Sequence, residues 1–592
     1  MSASNLFPEK PTIYFASDIS TCCNKSLQVQ KTRSRTVATL DIGEFGVRET
    51  VLVCKECDGI YISDELSKLV PPRCKFGFDV LIYVGKAIFL QCRNDKEIIQ
   101  QLWSKNIRIS SSEIAYLAKK FIIYLALAHR QSSRKIKKNM AIRGGYILHL
   151  DATCDGESPH LMSGLDEITE IILHNVKLPS ESAEKIIPFL RDIKQSYNNP
   201  LAVVSDMGKG ISNAVEKVFP GLPQFICHYH FLRDIGGDLF GEENDIIRKR
   251  LTFHGIQGVL RTKIKQFKKI IDIHPGLVEC LSTNLENGRI EQSTLEQMPV
   301  ATAYTLALWA LEGKKQTHGY GFPFDRPYLV FYQRLKTLFS ECQKLQKISM
   351  PVQTGNKNPF FVVCKLLRNT ISDTTLRKKV LQMQEKVFVF DKLRKAMRIA
   401  SPEQNQGLND DGEDADIKTI KEGVKNFRNR LLKDARFSKN KDYKKMIEQI
   451  NKYWKKLFAD SITVETSQGK KTIQPQRTNN ILERFFRDIR RRHRKKSGTN
   501  SLGKTLKAML ADTPLVYNLE NREYLDILLN GKATLEERFA EIDSQTIREE
   551  LRKSRDDSEK IPPKINVLIK EQQLPQKLVQ FFNKQMKAHT TE

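Results

Sequence analysis

The stretch Gly145-Tyr-Ile-Leu-His-Leu-Asp151 reads as a strand of large apolar residues that ends in a carboxylate. Leu201-Ala-Val-Val-Ser-Asp206 repeats that pattern, and small or turn-forming residues follow each: Ala152-Thr153 after the first, Met207-Gly208 after the second. Between and beyond them the periodicity predicts a strand over Ile168–Val176, an amphipathic helix over Glu181–Tyr197, a helix over Gly210–Phe219 and a strand over Gln224–Cys227. Strands alternating with helices predict an α/β sheet. A carboxylate at a strand end sits at the sheet edge, where such folds place their sites. Asp151 and Asp206 are therefore candidates to share a divalent cation.

A third element lies far downstream. Thr478-Asn-Asn-Ile-Leu-Glu483-Arg-Phe-Phe-Arg487 continues through an arginine-rich run to Gly498. Residues 484–496 carry eight Lys or Arg against one acid, yet Ile481, Leu482, Phe485, Phe486 and Ile489 keep one helical face apolar. The helix is expected to pack with that face and to offer Arg484, Arg487, Arg490, Arg491, Arg494 and Lys495 to a phosphate backbone. Glu483 has two readings: a metal-holding acid at the head of the arginine ladder, or a cap in the Asn480-x-x-Glu483 spacing.

Upstream, residues 12–60 read as short strands flanked by Cys22-Cys23 and by Cys54-Lys-Glu-Cys57. Two cysteine knuckles closing a small β unit suggest a zinc ribbon. The first knuckle is irregular: Ser20 stands where a C-x-x-C would put its first sulfur, and neighbouring strand residues point to opposite faces. Cys23, Cys54 and Cys57 are the expected ligands; the alternative is a β module with buried thiols and no metal. Residues 95–130 predict two helices, the second opening with the capping-box spacing Ser110-x-x-Glu113. With the basic run Arg130–Lys138 behind them they suggest a DNA-binding helix-turn-helix, against an ordinary helical hairpin.

The expected units are a zinc-ribbon-like β module (1–75), the helix-turn-helix (76–140), the first part of an α/β core (141–240), an all-α insertion (241–475), the core's final helix (476–512) and a helical C-terminal tail (513–592). In the insertion, Ser401–Asp416 is acidic and poor in apolar residues, which predicts disorder. Trp309 and Gly321-Phe-Pro-Phe-Asp-Arg-Pro327 could stack on an unpaired base, or fill a core. Asp155 and Asp166 are expected to be structural or solvated.

At 592 residues the chain suggests three to five structural units, and 40% hydrophobic content rules out wholesale disorder. Lys and Arg number 97 against 69 acids, a net charge of +28 that makes a polyanion the simplest partner. The longest strongly apolar run, Phe121–Ala128, is too short to span a bilayer, and the N-terminus lacks the pattern of a secretion signal. Eleven cysteines at irregular spacing fit a reducing compartment rather than a disulfide scaffold.

Taken together, His149-Leu-Asp151-Ala-Thr-Cys-Asp-Gly, Val203-Val-Ser-Asp206-Met-Gly, Cys227-His-Tyr-His230-Phe and Asn479-Asn-x-x-Glu483 with its Arg-rich continuation resemble the Mutator-like (MULE) superfamily of DDE transposases, in particular those of bacterial insertion sequences. The resemblance covers most of the chain. It implies an RNase H-like fold with Asp151, Asp206 and Glu483 as first, second and third acids, two Mg²⁺ (or Mn²⁺) ions, and Cys227 and His230 as the family's Cys/Asp-x-x-His element. It implies cleavage at terminal inverted repeats of double-stranded DNA, strand transfer into target DNA, a homodimer on paired ends, and a bacterial cytoplasmic, nucleoid-associated protein with no membrane contact. Cys227 and His230 otherwise read as support for the catalytic strands or as half a zinc site, with contact of His230 to the scissile phosphate or its partner strand as the sharper alternative. The competing function is a catalytically inactive or domesticated DNA-binding derivative. An RNA-processing protein ranks last, because no RNP or KH signature is present.

Overall fold

The computed structural model describes residues 10–273, 298–315, 317–349, 355–399, 417–466, 469–556 and 563–589. The stretch Ser401–Asp416 lies outside them. No helix among the described residues is long and apolar enough to cross a membrane.

The N-terminal module holds β1 (Thr12–Phe15), the small hairpin β2 (Thr21–Cys22) and β3 (Lys25–Ser26), two long strands β4 (Gln28–Thr39) and β5 (Gly43–Val53), and β6 (Ile60–Tyr61). β5 is the centre of this sheet. It pairs antiparallel with β4 and β6 and parallel with β1, so β4 is an edge strand. The module buries only a small core of its own: Phe15, Val37, Phe45, Val47, Leu66 and Val70.

Four helices follow: α1 (Asp64–Leu69), α2 (Phe78–Phe89), α3 (Asp95–Ser104) and α4 (Ser111–Ile142). The predicted capping box of Ser110 with Glu113 forms, and Asn94 with Glu97 makes a second at the head of α3. The second helix of the expected helix-turn-helix is a 32-residue scaffold, buried without a break from Phe121 to His129. Its first cations are engaged by protein: Lys119 Nζ donates to the Ser554 carbonyl, Lys120 is buried against Cys74 Sγ, and Arg130 pairs with Asp512 and Glu550. The leading half of α4 therefore offers no free cation to a groove.

The central sheet contains β7 (Ile147–Thr153), β8 (His160–Asp166), β9 (Ile172–Leu178), β10 (Ala202–Ser205) and β11 (Gln224–Ile226), in the order β11-β10-β7-β8-β9. β7, β8 and β9 form an antiparallel meander; β10 and β11 then add parallel on the other side of β7. α5 (Ala183–Tyr197) and α6 (Lys209–Val218) make the crossovers. The sequence reading missed β8, because Ser163-Gly164 at its centre resembles a turn. A Cβ on Gly164 would lie 2.9 Å from Ile193 Cδ1, so the glycine lets α5 approach the sheet.

The expected boundaries at 140 and 512 do not separate cores. One hydrophobic cluster joins α2–α4, one face of the sheet, the helix at 480–497 and the C-terminal residues Leu515 to Leu551. Residues 513–551 are thus part of the core. Asn518 illustrates this: its amide donates to the Ile172 carbonyl and accepts from the Ile172 amide, substituting for a neighbouring strand on β9. The insertion has a second core of its own, running from Ile226 to Phe458. It begins with α7 (His228–Phe253), contains α8 (Ile256–Ile273), α9 (Met298–Glu312), α10 (Pro327–Ser349), α11 (Pro359–Ser372), α12 (Thr374–Met397), α13 (Ile417–Lys433) and α14 (Lys441–Leu457), and leaves through the hairpin β12 (Ile462–Thr466) and β13 (Gly469–Ile473). Ile462 and Ile473 cover Ile147, Ala202 and Val204 on the second, thinly covered face of the central sheet. The chain then enters α15 (Asn480–Ser497).

Candidate active site and cysteine cluster

Strand alternation puts His149, Asp151 and Thr153 on the face of Ile147, and puts Asp206 one pleat beyond Val204 on the same face. β10 runs parallel to β7 with Ser205 opposite Leu150, so Asp206 follows beside Asp151. Asp206 Oδ1 accepts from the Gly208 amide at 2.9 Å, and a Cβ at Gly208 would lie 2.9 Å from that same oxygen. This is why a glycine closes the turn. Asp151 is buried, its Oδ1 accepting from the Ala152 amide at 2.8 Å. Burial first, then the negative charges of Asp206 and Glu483, push its carboxyl well above the usual range.

Glu483 occupies the first turn of α15. The capping alternative fails: the N-cap is Asn479, no side chain caps the helix, and Glu483 Oε1 is buried without a hydrogen-bond partner among the described residues. Burial raises its carboxyl to about 7, against the pull of Arg233 and Arg487. His230 Nε2 stands 3.7 Å from Glu483 Oε1, too long for a hydrogen bond, while burial lowers the imidazole to about 4. His230 Nδ1 is also buried and unpartnered. Cys227, buried and raised to about 12 mainly by that burial, accepts from the Asn479 amide through Sγ at 3.2 Å. The thiol is thus held neutral.

Cys227, His230 and Glu483 have their ligand atoms within 4.8 Å of one another; the three acids do not form such a group. A pair of ions ~4 Å apart spreads its ligands wider than a single ion does, so three acids serving two ions need not meet that limit. Two orphaned polar atoms, with the raised carboxyls of Asp151 and Glu483 beside Asp206, fit hard divalent cations, which take oxygen ligands.

What brings Glu483 to the sheet is a buried polar chain. Asn479 Nδ2 donates to the Leu150 carbonyl at 3.0 Å, and its Oδ1 lies 2.7 Å from His149 Nδ1. His149 Nε2 lies 2.8 Å from Glu167 Oε2, and the Glu167 carboxylate also accepts from the Gln476 amide. Arg477 donates to the carbonyls of Met397 and Arg398, tying the same segment to the insertion. Asn479 and His149 stood in the sequence motifs with no role assigned, and Glu167 and Arg233 were missed. Arg233 had a usable signal, one turn after His230 on α7; Glu167 had none. Asn479→Ala should strip partners from His149 and the Leu150 carbonyl and cost about 2–5 kcal/mol, read as a lower denaturant midpoint.

All six cations proposed for nucleic acid on α15 are exposed. Arg490 reaches Thr153 Oγ1 at 3.1 Å, beside the strand that bears Asp151, and Arg491 lies 3.8 Å from Asp488. Arg492, outside that set, is structural: it binds the carbonyls of Phe89 and Leu90 and the Glu520 carboxylate. Asp155 accepts from Ser501 Oγ and from the amides of Leu502 and Gly503; Asp166 accepts from the amides of Ile147, Ile168 and Thr169. Both acids organise turns. Trp309 is partly exposed on α9, with Arg334 over its ring.

The N-terminal cysteines form a separate cluster. Cys22, Cys23, Cys54 and Cys57 place all four sulfurs within 4.8 Å of one another. Cys22, expected to point away from Cys23, joins because the β2–β3 turn has positive φ at both Cys23 (51°) and Asn24 (58°). That turn swings the second sulfur back toward the first. Cys22 Sγ lies 3.7 Å from the sulfurs of both Cys23 and Cys57. Tetrahedral Zn–S bonds of ~2.3 Å put sulfurs about 3.8 Å apart, so the donor set fits zinc.

No family model and no curated protein matches this chain.

Proposed function

We propose that this chain is a DDE transposase of the Mutator-like superfamily, built on an RNase H-like core. What supports the reading is one arrangement. A three-strand antiparallel meander is extended by two parallel strands, with an acid on its central strand, a second at the end of the adjoining parallel strand, and a third on a later helix pinned back to the central strand by Asn479.

Asp151, Asp206 and Glu483 would hold Mg²⁺ or Mn²⁺, which lowers the pKa of the attacking oxygen and offsets charge on the leaving one. The polypeptide supplies position. The Asn479–His149–Glu167 chain fixes the third acid, and Arg233 and Arg487 flank it with positive charge where a phosphodiester would lie. The exposed cations of α15 continue away from the acids and would grip the duplex backbone. Water would attack phosphorus and displace the 3′-oxygen, and the freed 3′-hydroxyl would then attack a target phosphodiester and displace that strand's own 3′-oxygen. The cysteine cluster would hold one structural zinc.

The test uses the full chain on duplexes carrying the DNA that flanks its gene. Cleavage should require Mg²⁺ or Mn²⁺ and stop in Asp206→Asn; cleavage that persists in that variant would overturn the reading. Replacing Arg487, Arg491 and Arg494 by serine should lower the slope of log affinity against log salt by about 3, since each phosphate contact contributes ~0.9. An unchanged slope would remove α15 from the interface.

A further inference from the structure

The strand β4 carries a feature that the catalytic reading does not use. Its first seven residues, Gln28-Val-Gln-Lys-Thr-Arg-Ser34, are all exposed, so neither face of that half-strand is covered. It is the edge of its sheet, with β5 on one side only. At ~3.4 Å per residue the open half is about 24 Å long. The pairing shifts at Gln30, a bulge between Val29 and Lys31, so Gln28, Lys31 and Arg33 share one face while Val29, Thr32 and Ser34 share the other. Lys31 and Arg33 make no ion pair among the described residues, although Arg33 stands opposite Glu49 in register. Arg48, opposite Ser34, is exposed over the ring of Tyr14, itself exposed. The far end does not fray freely: Leu27 N bonds to the Ser20 carbonyl and Cys54 N to the Gly59 carbonyl, joining both strands to the cysteine cluster.

An exposed edge strand usually invites another strand. Here a second copy pairing along β4 would bring the same cations together, which disfavours that occupant. A strand pair fits the major groove of B-form DNA, ~12 Å wide, where glutamine amides and hydroxyls can reach base edges and flanking cations can reach phosphates. We propose that the open half of β4 is a duplex-DNA-reading edge that enters the major groove, with Lys31 and Arg33 on phosphates beside one face, Arg48 on phosphates beside the other, and Gln28, Gln30 and Thr32 toward the bases. It takes the role that the sequence suggested for α3 and α4, where Lys119, Lys120 and Arg130 of α4 are engaged by protein.

The proposal is tested by binding without cleavage, so its failure is distinct from failure of the catalytic reading. The full chain is titrated in Ca²⁺ buffer with a 40-base-pair mixed-sequence duplex, comparing Lys31→Ser/Arg33→Ser/Arg48→Ser with a control of equal charge loss on α8, Lys265→Ser/Lys268→Ser/Lys269→Ser. The β4–β5 variant should bind at least ~10-fold more weakly, with a log–log salt slope lower by about 2–3; the control should stay within ~3-fold. Methylation of guanine N7, a major-groove atom, should weaken the parent and leave the variant unaffected. A-form RNA of the same length should compete poorly, because its major groove is too narrow for side chains. Equal losses in variant and control, indifference of the parent to N7 methylation, or full competition by RNA would each overturn the assignment. The substituted residues are exposed, and an unchanged thermal midpoint verifies that folding is intact.

Discussion

Glu483→Gln will abolish strand cleavage while making the metal-free protein more stable at alkaline pH. The activity loss should be at least ~1,000-fold, about 4 kcal/mol of barrier, because one of three charged oxygen donors is gone. The stability gain follows from the acid's environment. Its carboxyl rises from an ordinary 4.5 to about 7 on folding because it is buried. Below pH 4.5 the group is neutral folded or unfolded and costs nothing. As pH climbs through 7 the native chain must carry a charge that the unfolded chain carries in water, and stability is lost. A rise of that size corresponds to about 3 kcal/mol. In Mg²⁺-free buffer at pH 8 the glutamine variant should therefore unfold at higher denaturant than the parent, and the two should coincide near pH 4. Retained cleavage, or a variant less stable at pH 8, would mean that Glu483 is not an acid waiting for a cation. Asp151→Asn should behave alike in both respects, since its carboxyl is also raised by burial and by its acidic neighbours.

Cys54→Ser is expected to empty the cysteine cluster and unfold the N-terminal module. The module's private core is six side chains, too few to hold 60 residues alone. Structural zinc in small domains contributes about 10–16 kcal/mol, and that free energy is folding free energy. The parent should contain one zinc per chain, Cys22→Ser and Cys54→Ser none, and Ser20→Ala one. Hydrogen exchange should rise across β4 and β5 in the cysteine variants while β7 to β11 stay protected, because those strands belong to a different core. Zinc retained at full stoichiometry by Cys22→Ser would restore the reading in which only Cys23, Cys54 and Cys57 are ligands.

Much of the sheet was legible because its signals are local. The runs ending in Asp151 and Asp206 are apolar enough to read as buried strands, and the Ser110–Glu113 capping box was visible as a spacing. β8 was illegible for the opposite reason: a strand with Ser-Gly at its centre has no local advantage and exists because β7 and β9 flank it. The turn that brings Cys22 beside Cys23 needs positive φ at Cys23 as well as at Asn24; asparagine commonly adopts it, but nothing about a cysteine announces it. Glu483 stood out locally as an acid heading an arginine ladder, but the choice between metal ligand and cap was not legible there, since its neighbours in space are strands made hundreds of residues earlier. The polar chain that positions it, Glu167 to His149 to Asn479, joins three segments and leaves no periodic trace.

The interruption of the sheet by a second core also has a temporal consequence. The second and third acids are 277 positions apart in the chain. At a synthesis rate of ~5–20 residues per second, a growing polypeptide spends about 14–55 seconds with two acids made and the third not yet translated. Throughout that window it owns a finished amino-terminal edge strand and no complete set of ligands. A product that stopped inside the insertion would stay in that condition permanently; if the proposed edge strand binds DNA, such a product would occupy the substrate of its full-length sibling without processing it.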